Sequence, residues 1–181
     1  MTVLTVRTST NTPPVSPSNR SGLRLSLRPP GPQVGLLDGA WWPRSRDLLR
    51  ELPSLASQLD SVWGRITRVA VNPAYWGVIP REVPVRGHVV KVVGFRTEQD
   101  PHQLLLLSYR VGRWDLLVVP PEADPDVASR LMAVACDPRV VRTASALIAA
   151  QAMAATAAAV AAWEVEVGAT VGRLGAPGGR R

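Results

Sequence analysis

The sequence is poor in the residue types that most often bind metals or act as nucleophiles. It contains one cysteine, Cys136, and two histidines, His88 and His102. A single cysteine excludes an intrachain disulfide and a zinc site built from cysteines, and there is no HExxH motif or other pairing of histidines. We therefore expect no metal and no cofactor. Because Cys136 lies at a spacing that suits the apolar face of a helix, we predict a buried structural thiol.

Sequence motifs for nucleotide binding and for nucleophilic catalysis are also missing. There is no GxSxG motif and no GxGxxG motif after a strand, and the glycine-rich "GRLGAPGG" lacks the Lys-Ser/Thr pair of a P-loop. Four carboxylates are candidates for an acid–base pair, but their spacing gives no indication that they converge: Asp38, Asp47, Asp100 and Asp115. The sequence therefore favours a protein that is not an enzyme and identifies no catalytic residue.

Acidic residues are absent from both ends of the chain, and the net charge of +7 is concentrated at these ends. Residues 1–37 carry four arginines and residues 168–181 carry three, whereas residues 38–167 sum to zero. A domain that binds nucleic acid usually concentrates basic residues on one face of its fold, so a neutral body argues against a dedicated DNA-binding domain. Contact with nucleic acid through the basic tails stays open as an alternative.

The ends also differ from the body in composition. Residues 1–22 are rich in Ser, Thr and Pro and lack an apolar run long enough for a signal peptide, which predicts a disordered basic leader. Residues 168–181 predict a flexible Gly/Arg tail. Between these ends we expect a single domain at 23–149 and an Ala-rich helical extension at 150–167.

The longest uncharged stretch, "TASALIAAQAMAATAAAVAAW", covers residues 143–163. Its length would admit a membrane-spanning helix. Twelve of its 21 residues are alanine, however, and alanine is the best helix former but is barely hydrophobic. We predict a long soluble helix from Val140 to about Val167 and expect no membrane partner. Because small side chains permit close helix approach, self-association is one function that this helix suggests.

Apolar periodicity predicts an α+β domain before that helix. Leucines spaced three and four residues apart predict a helix from Ser45, as N-cap, to Gly64, with a kink or restart at Pro53. A second helix is predicted to start at Asp124. Alternating or continuous apolar residues predict strands, the last three as an antiparallel meander, at 22–29, 65–72, 85–95, 103–110 and 113–120. The predicted fold is an antiparallel sheet of about five strands with two to three helices packed on it, plus the long C-terminal helix.

Tryptophan is abundant compared with the other aromatic residues, with six Trp against one Phe and two Tyr. Adjacent residues of an extended segment point to opposite faces, so one of Trp41 and Trp42 should pack inward and the other should cover an edge or meet a partner. Aromatic and arginine side chains together can form a binding surface. We hypothesise that one groove for a ligand or partner is lined by Trp41, Trp42, Arg44, Arg46, Tyr75, Trp76, Arg81 and Arg86. The simpler alternative is that the aromatic residues seal the ends of the sheet.

Four segments resemble, in order, a family of small actinobacterial proteins known only as a domain of unknown function. They are "LDGAWWPRSRDL", "RVAVNPAYWGVIPREVPVRGHVVKV", "EQDPHQLLLLSY" and "GRWDLLVVPP". The resemblance runs from about Leu23 to Ala149 and implies a bacterial cytoplasmic protein. It implies no activity, cofactor or catalytic residue.

Three classes of function fit these observations. The favoured one is a non-catalytic interaction or regulatory module whose partner is another protein or a second copy of the chain. The first alternative is a nucleic-acid-associated protein that uses its basic tails. The second is a small-molecule binder or enzyme with a Trp/Arg-lined groove.

Overall fold

One mixed β-sheet carries helices on both of its faces. A computed structural model describes residues 22–31, 35–109 and 112–174, with side chains as far as Trp163. The predicted leader, apart from Gly22, and the end of the predicted tail from residue 175 lie outside the described residues. The strands are β1 Leu25–Leu27, β2 Gly39–Trp41, β3 Ile66–Val71, β4 Glu82–Val85, β5 His88–Gly94, β6 Gln103–Ser108 and β7 Arg113–Val118. The helices are α1 Leu48–Trp63, α2 Pro125–Ala135 and α3 Ala144–Leu174.

The α+β class and the long C-terminal helix are confirmed, but the prediction of about five antiparallel strands is wrong. The described residues form seven strands in the order β1-β2-β7-β6-β3-β5-β4. Two of the neighbouring pairs, β2–β7 and β3–β5, are parallel. A sequence pattern gives the period of each strand but not its neighbours, and a three-residue strand such as β2 is too short to show a period.

The predicted meander fails for a related reason. The segment predicted as one strand at 85–95 begins with a turn at Arg86 and Gly87, where Gly87 has a φ of 82°, and the strands β4 and β5 pair antiparallel across that turn. The next two strands, β6 and β7, form the predicted antiparallel hairpin. Between β5 and β6, however, lies β3, which comes from earlier in the chain.

The N-cap of helix α1 lies two residues later than predicted. The Asp47 carboxylate accepts hydrogen bonds from the N–H groups of Leu49 and Arg50, so Asp47 is the N-cap. The predicted cap, Ser45, instead donates to the Glu51 carboxylate at 2.8 Å. The helix is not interrupted at Pro53 and continues to Trp63. Its buried face packs on one side of the sheet and consists of Leu48, Leu52, Leu55, Ala56 and Leu59.

Helices α2 and α3 pack on the opposite side of the sheet, near β2 and β7. As predicted, α2 begins after the Asp124 cap with Pro125 in its first turn. The start of α3 is held through Asp100, whose carboxylate accepts from the Ser145 N–H at 2.9 Å and from the Ser145 hydroxyl at 2.6 Å. Helix α3 then continues to Leu174, seven residues beyond the predicted end at Val167.

Candidate functional site

The adjacent residues Trp41 and Trp42 lie on opposite faces of the sheet. Trp41 is fully buried in the core beneath α1 and stacks on Trp76, with 5.8 Å between the ring centroids. Trp42 is half-buried beside the core on the α2 side, and its indole Nε1 donates to the Pro120 carbonyl at 3.1 Å. The extended backbone of β2 produces this divergence. Trp41 is therefore the tryptophan that packs inward.

Trp41 belongs to a chain of ring contacts that we call the aromatic cluster: Trp41, Trp76, Tyr75 and His102. The Tyr75 ring meets the edges of Trp76 and of His102, with centroid distances of 5.2 and 5.1 Å. The cluster joins the end of β2 to the β3–β4 loop and to the turn before β6. Packing of this kind is worth about 0.5–1.5 kcal/mol per ring pair beyond burial.

An ion pair covers the aromatic cluster from outside. The Arg46 guanidinium lies over the Tyr75 ring, 4.7 Å from its centroid, and forms an ion pair with Glu122. Both charged side chains are about half exposed, at 46% for Arg46 and 63% for Glu122. The pair is thus a solvent-facing cover over a buried aromatic interior.

Four buried polar atoms of the aromatic cluster have no hydrogen-bond partner among the described residues. They are Trp41 Nε1, Trp76 Nε1, the Tyr75 hydroxyl oxygen and His102 Nδ1. Burial raises the pKa of Tyr75 and lowers the pKa of His102, so both rings are kept neutral. Buried polar groups in folded proteins are nearly always paired with protein or water. The cluster therefore has unused hydrogen-bonding capacity, and its indole groups can only donate.

A second feature, which we call the arginine cleft, opens beside Trp41 and Trp42. It has a volume of about 150 Å³ and is lined by Gly22, Leu23, Arg24, Trp41, Trp42, Arg44, Arg50, Glu51 and Ser54. The Arg24 guanidinium lies 3.5 Å from the centroid of the Trp42 ring. It also donates to the carbonyls of Trp42 and Pro43 at 3.0 and 2.6 Å. Arg24 is thus fixed by its contacts with the protein.

The positive charges of the cleft are close enough to affect one another. Burial and the neighbouring charge of Arg44 lower the pKa of Arg24, while the Glu51 carboxylate opposes this change. Glu51 itself accepts from the backbone N–H of Arg44 at 3.2 Å and from Ser45. Its carboxylate is therefore held by uncharged donors, and the three arginines outnumber it.

The structure brings most of the predicted site residues together, though around two features and not in one groove. Arg46, Tyr75 and Trp76 meet at the aromatic cluster, Trp42 and Arg44 line the arginine cleft, and Trp41 contributes to both. Arg81 and Arg86 are exposed on either side of β4, at the far edge of the sheet. Among the described residues, neither forms a hydrogen bond, an ion pair or a ring contact with the other six.

Among the residues of these features that sequence reasoning missed, four supply a positive charge, the histidine ring or the outer ion pair. His102 and Glu122 join the aromatic cluster and its cover, and Arg24 and Arg50 line the arginine cleft. Arg24 lies in an alternating apolar segment whose pattern predicts only a strand. Because Arg24, His102 and Glu122 reach their neighbours through tertiary packing, no local signal in the sequence identifies them.

The candidate acid–base carboxylates have structural partners. Asp38 forms an ion pair with Arg28 at 2.8 Å and accepts from the Asp115 N–H at 2.9 Å. Asp47 caps α1 and Asp100 holds the start of α3. Among the described residues, no group of three His, Cys, Asp or Glu side chains could hold a metal ion. Burial raises the pKa of the Cys136 thiol, which donates to Ser26 Oγ at 3.2 Å.

Helix α3 presents an extended uncharged surface. Its first two turns are docked on the domain, with Ala144 and Leu147 almost fully buried. Every residue from Ala152 to Trp163 is exposed, including Met153 at 74% and Trp163 at 68%. An open groove of about 260 Å³ between α2 and α3 is lined mainly by apolar residues, namely Pro120, Glu122, Ala123, Val127, Leu131, Ile148, Gln151, Ala152 and Ala155.

A family model described as "Family of unknown function (DUF5994)" matches residues 24–135 of the chain. The match covers more than half of the 181 residues. The chain belongs to the DUF5994 family. Comparison with curated proteins and with solved structures finds no match.

The DUF5994 match includes some of the features described above and ends before others. The aromatic cluster and all of the arginine cleft except Gly22 and Leu23 lie within residues 24–135. Helix α3 begins at Ala144, after the end of the match. The match also ends before Ala149, to which the resemblance was expected to extend. The DUF5994 region thus supplies the two Trp/Arg features, and the exposed helix is an addition to it.

Proposed function

We propose that this protein is a non-catalytic interaction module that associates with a second copy of itself through α3. The observation that carries the proposal is the exposure of α3 from Ala152 to Trp163 without a single charged side chain. Exposed and contiguous apolar surface in a protein marks an interaction site. The setting that we propose is the cytoplasm of an actinobacterium.

The large exposed side chains of α3 share one face of the helix. Seven residues separate Met153 from Val160 and three separate Val160 from Trp163, which is the spacing of one apolar stripe on a pair of supercoiled helices. The surrounding alanines allow the backbones of two such helices to approach closely. A second copy of α3 therefore offers a surface of matching shape and polarity.

A membrane is the main competing partner for this helix. Among the described residues, Ala144–Trp163 is long and apolar enough to cross a membrane by length and composition. The docking of the first two turns reduces that length, because Ala144 and Leu147 are buried in the domain and Ser145 is bonded to Asp100. Ala152–Trp163 then extends only about 18 Å at 1.5 Å per residue, short of the roughly 30 Å hydrocarbon core. This length favours a second copy over a bilayer.

The test compares two double variants by sedimentation velocity of the full chain over a wide range of concentrations. Met153→Glu with Val160→Glu places charges on the apolar stripe and should make the chain monomeric, because buried carboxylates are costly. Ala154→Glu with Ala161→Glu has the same spacing and exposure but lies away from the stripe. This control should self-associate as the wild type does.

Two results would contradict the proposal. A wild-type chain that stays monomeric throughout the concentration range excludes self-association. Equal loss of association in both double variants shows that charge on any face of α3 is disruptive, which is expected of non-specific apolar association and not of a specific helix pair. Flotation with neutral liposomes then distinguishes the bilayer directly.

A further inference from the structure

The arginine cleft is a built pocket whose unused hydrogen-bonding groups include several donors. Within the described residues the Arg50 guanidinium has no hydrogen-bond or ion-pair partner, and Arg44 uses one guanidinium nitrogen to donate to the Gly22 carbonyl at 2.9 Å. Trp41, a lining residue that is 0% exposed, leaves its indole Nε1 without a partner. An unpaired buried N–H costs free energy. An occupant that accepts hydrogen bonds would pair with the guanidinium groups of Arg44 and Arg50.

The charge of the cleft further restricts the chemistry of this occupant. Its three arginines and one glutamate sum to +2, and the glutamate is already held by the Arg44 backbone and by Ser45. The arginines come from three parts of the fold: Arg24 precedes β1, Arg44 follows β2, and Arg50 lies in the first turn of α1. Donors from several directions match a tetrahedral oxyanion with many acceptor sites better than a planar carboxylate.

We propose that the arginine cleft binds a phosphate group, either as inorganic phosphate or as the phosphate of a small organic monoester. A dianion would neutralise the +2 charge, and a volume of about 150 Å³ suits a group of this size. Arg24 forms the fixed base of the site, since its guanidinium is already bonded to two backbone carbonyls. Arg44 and Arg50 are the exposed residues that close on the ligand. The site lies away from the α3 stripe, so it does not depend on self-association.

The test titrates inorganic phosphate into the full chain at constant ionic strength and follows heat and tryptophan fluorescence. Saturable binding is expected for the wild type. Arg50→Gln and Arg44→Gln should each weaken it about tenfold or more, as expected for loss of one charge-assisted hydrogen bond. Both side chains are exposed, so normal unfolding curves should show that the variants fold. The matched control is Arg86→Gln, an exposed arginine at the far edge of the sheet.

Several outcomes would overturn the site. If phosphate shows no saturable binding, the cleft is not a phosphate site. If Arg86→Gln weakens binding as much as Arg44→Gln and Arg50→Gln do, the effect is a non-specific one of net charge. Acetate that binds more tightly than phosphate would contradict the assignment of a tetrahedral oxyanion. If phosphate binds, titration with a phosphate monoester of a small alcohol separates the two sources. Tighter binding of the monoester identifies an organic ligand, and weaker binding identifies the free ion.

Discussion

Trp41 stacks on Trp76 with 22° between the ring planes, although 35 residues separate them in the sequence. Both rings are buried, at 0% and 3% exposure. The contact ties the short strand β2, which neighbours the edge strand β1, to the loop that follows β3. Trp42, one residue on, packs on the other face with its N–H bonded to Pro120. The two tryptophans should therefore contribute very differently to stability.

Trp41→Ala should lower the free energy of unfolding by about 3–5 kcal/mol, because it leaves a large cavity in the core. Trp42→Phe keeps a ring beneath Arg24 but loses the hydrogen bond to Pro120, which should cost only about 0.5–1.5 kcal/mol. Urea denaturation followed by far-UV circular dichroism measures both changes. Similar losses in the two variants would show that Trp41 does not occupy the core position assigned to it.

Gly39 is required by the close approach of two backbones. It pairs with Leu27 of β1, and a Cβ added at this position would lie 2.3 Å from the Ser26 carbonyl oxygen. Gly39→Ala should therefore push β1 away from β2 and lower the free energy of unfolding by about 1–3 kcal/mol, as overpacking does. The matched control is Gly77→Ala, since nothing lies within 4 Å of a Cβ there. Equal stability of the two variants by thermal denaturation would refute the close approach.

Local patterns predicted the elements that depend on local forces. Leucine spacing predicted α1, the Asp-Pro pair predicted the start of α2, and the alternation of an extended chain predicted that Trp41 and Trp42 diverge. These features follow from helix geometry, capping and backbone period. They need no knowledge of the rest of the fold.

The sheet order and the site depend on contacts between distant segments. Strand β3 lies between β5 and β6. The apolar period of a strand does not specify which strands it pairs with. The Arg46–Glu122 ion pair and the Tyr75–His102 contact likewise join residues far apart in sequence. The nearness of aromatic residues and arginines in the sequence therefore indicated the residue types of the site, but not which of these residues lie together. Only the fold shows that Arg81 and Arg86 lie apart from it.

Asp100 links the domain to α3. Its carboxylate accepts from the backbone N–H and the hydroxyl of Ser145, next to the first residue of the helix, and so acts as a cap supplied by a distant residue. Asp100→Ala should raise amide hydrogen exchange over residues 144–151 and cost about 1 kcal/mol, as loss of a cap does. Asp124→Ala removes the cap of α2 instead and should leave exchange in α3 unchanged. Unaltered exchange in Asp100→Ala would show that α3 docks through its apolar contacts alone.

His102 should make the stability of the protein depend on pH. Burial lowers the pKa of His102 from its ordinary value of 6.5, with the Asp100 charge opposing this shift. As the pH falls through about 6.5, the unfolded chain binds a proton at this residue before the folded chain does. The free energy of unfolding should therefore fall as the pH decreases from 7.5 to 5.5.

His102→Phe retains an aromatic edge against Tyr75 but cannot titrate, and His102→Gln serves as a second non-titrating variant. Both should show a shallower loss of stability than the wild type between pH 7.5 and 5.5, measured by urea denaturation at each pH. The comparison of slopes isolates this residue, because the other titrating groups are common to all three chains. Parallel slopes in all three would mean that the folded and unfolded chains bind this proton equally, and that the His102 ring is solvated in the folded protein.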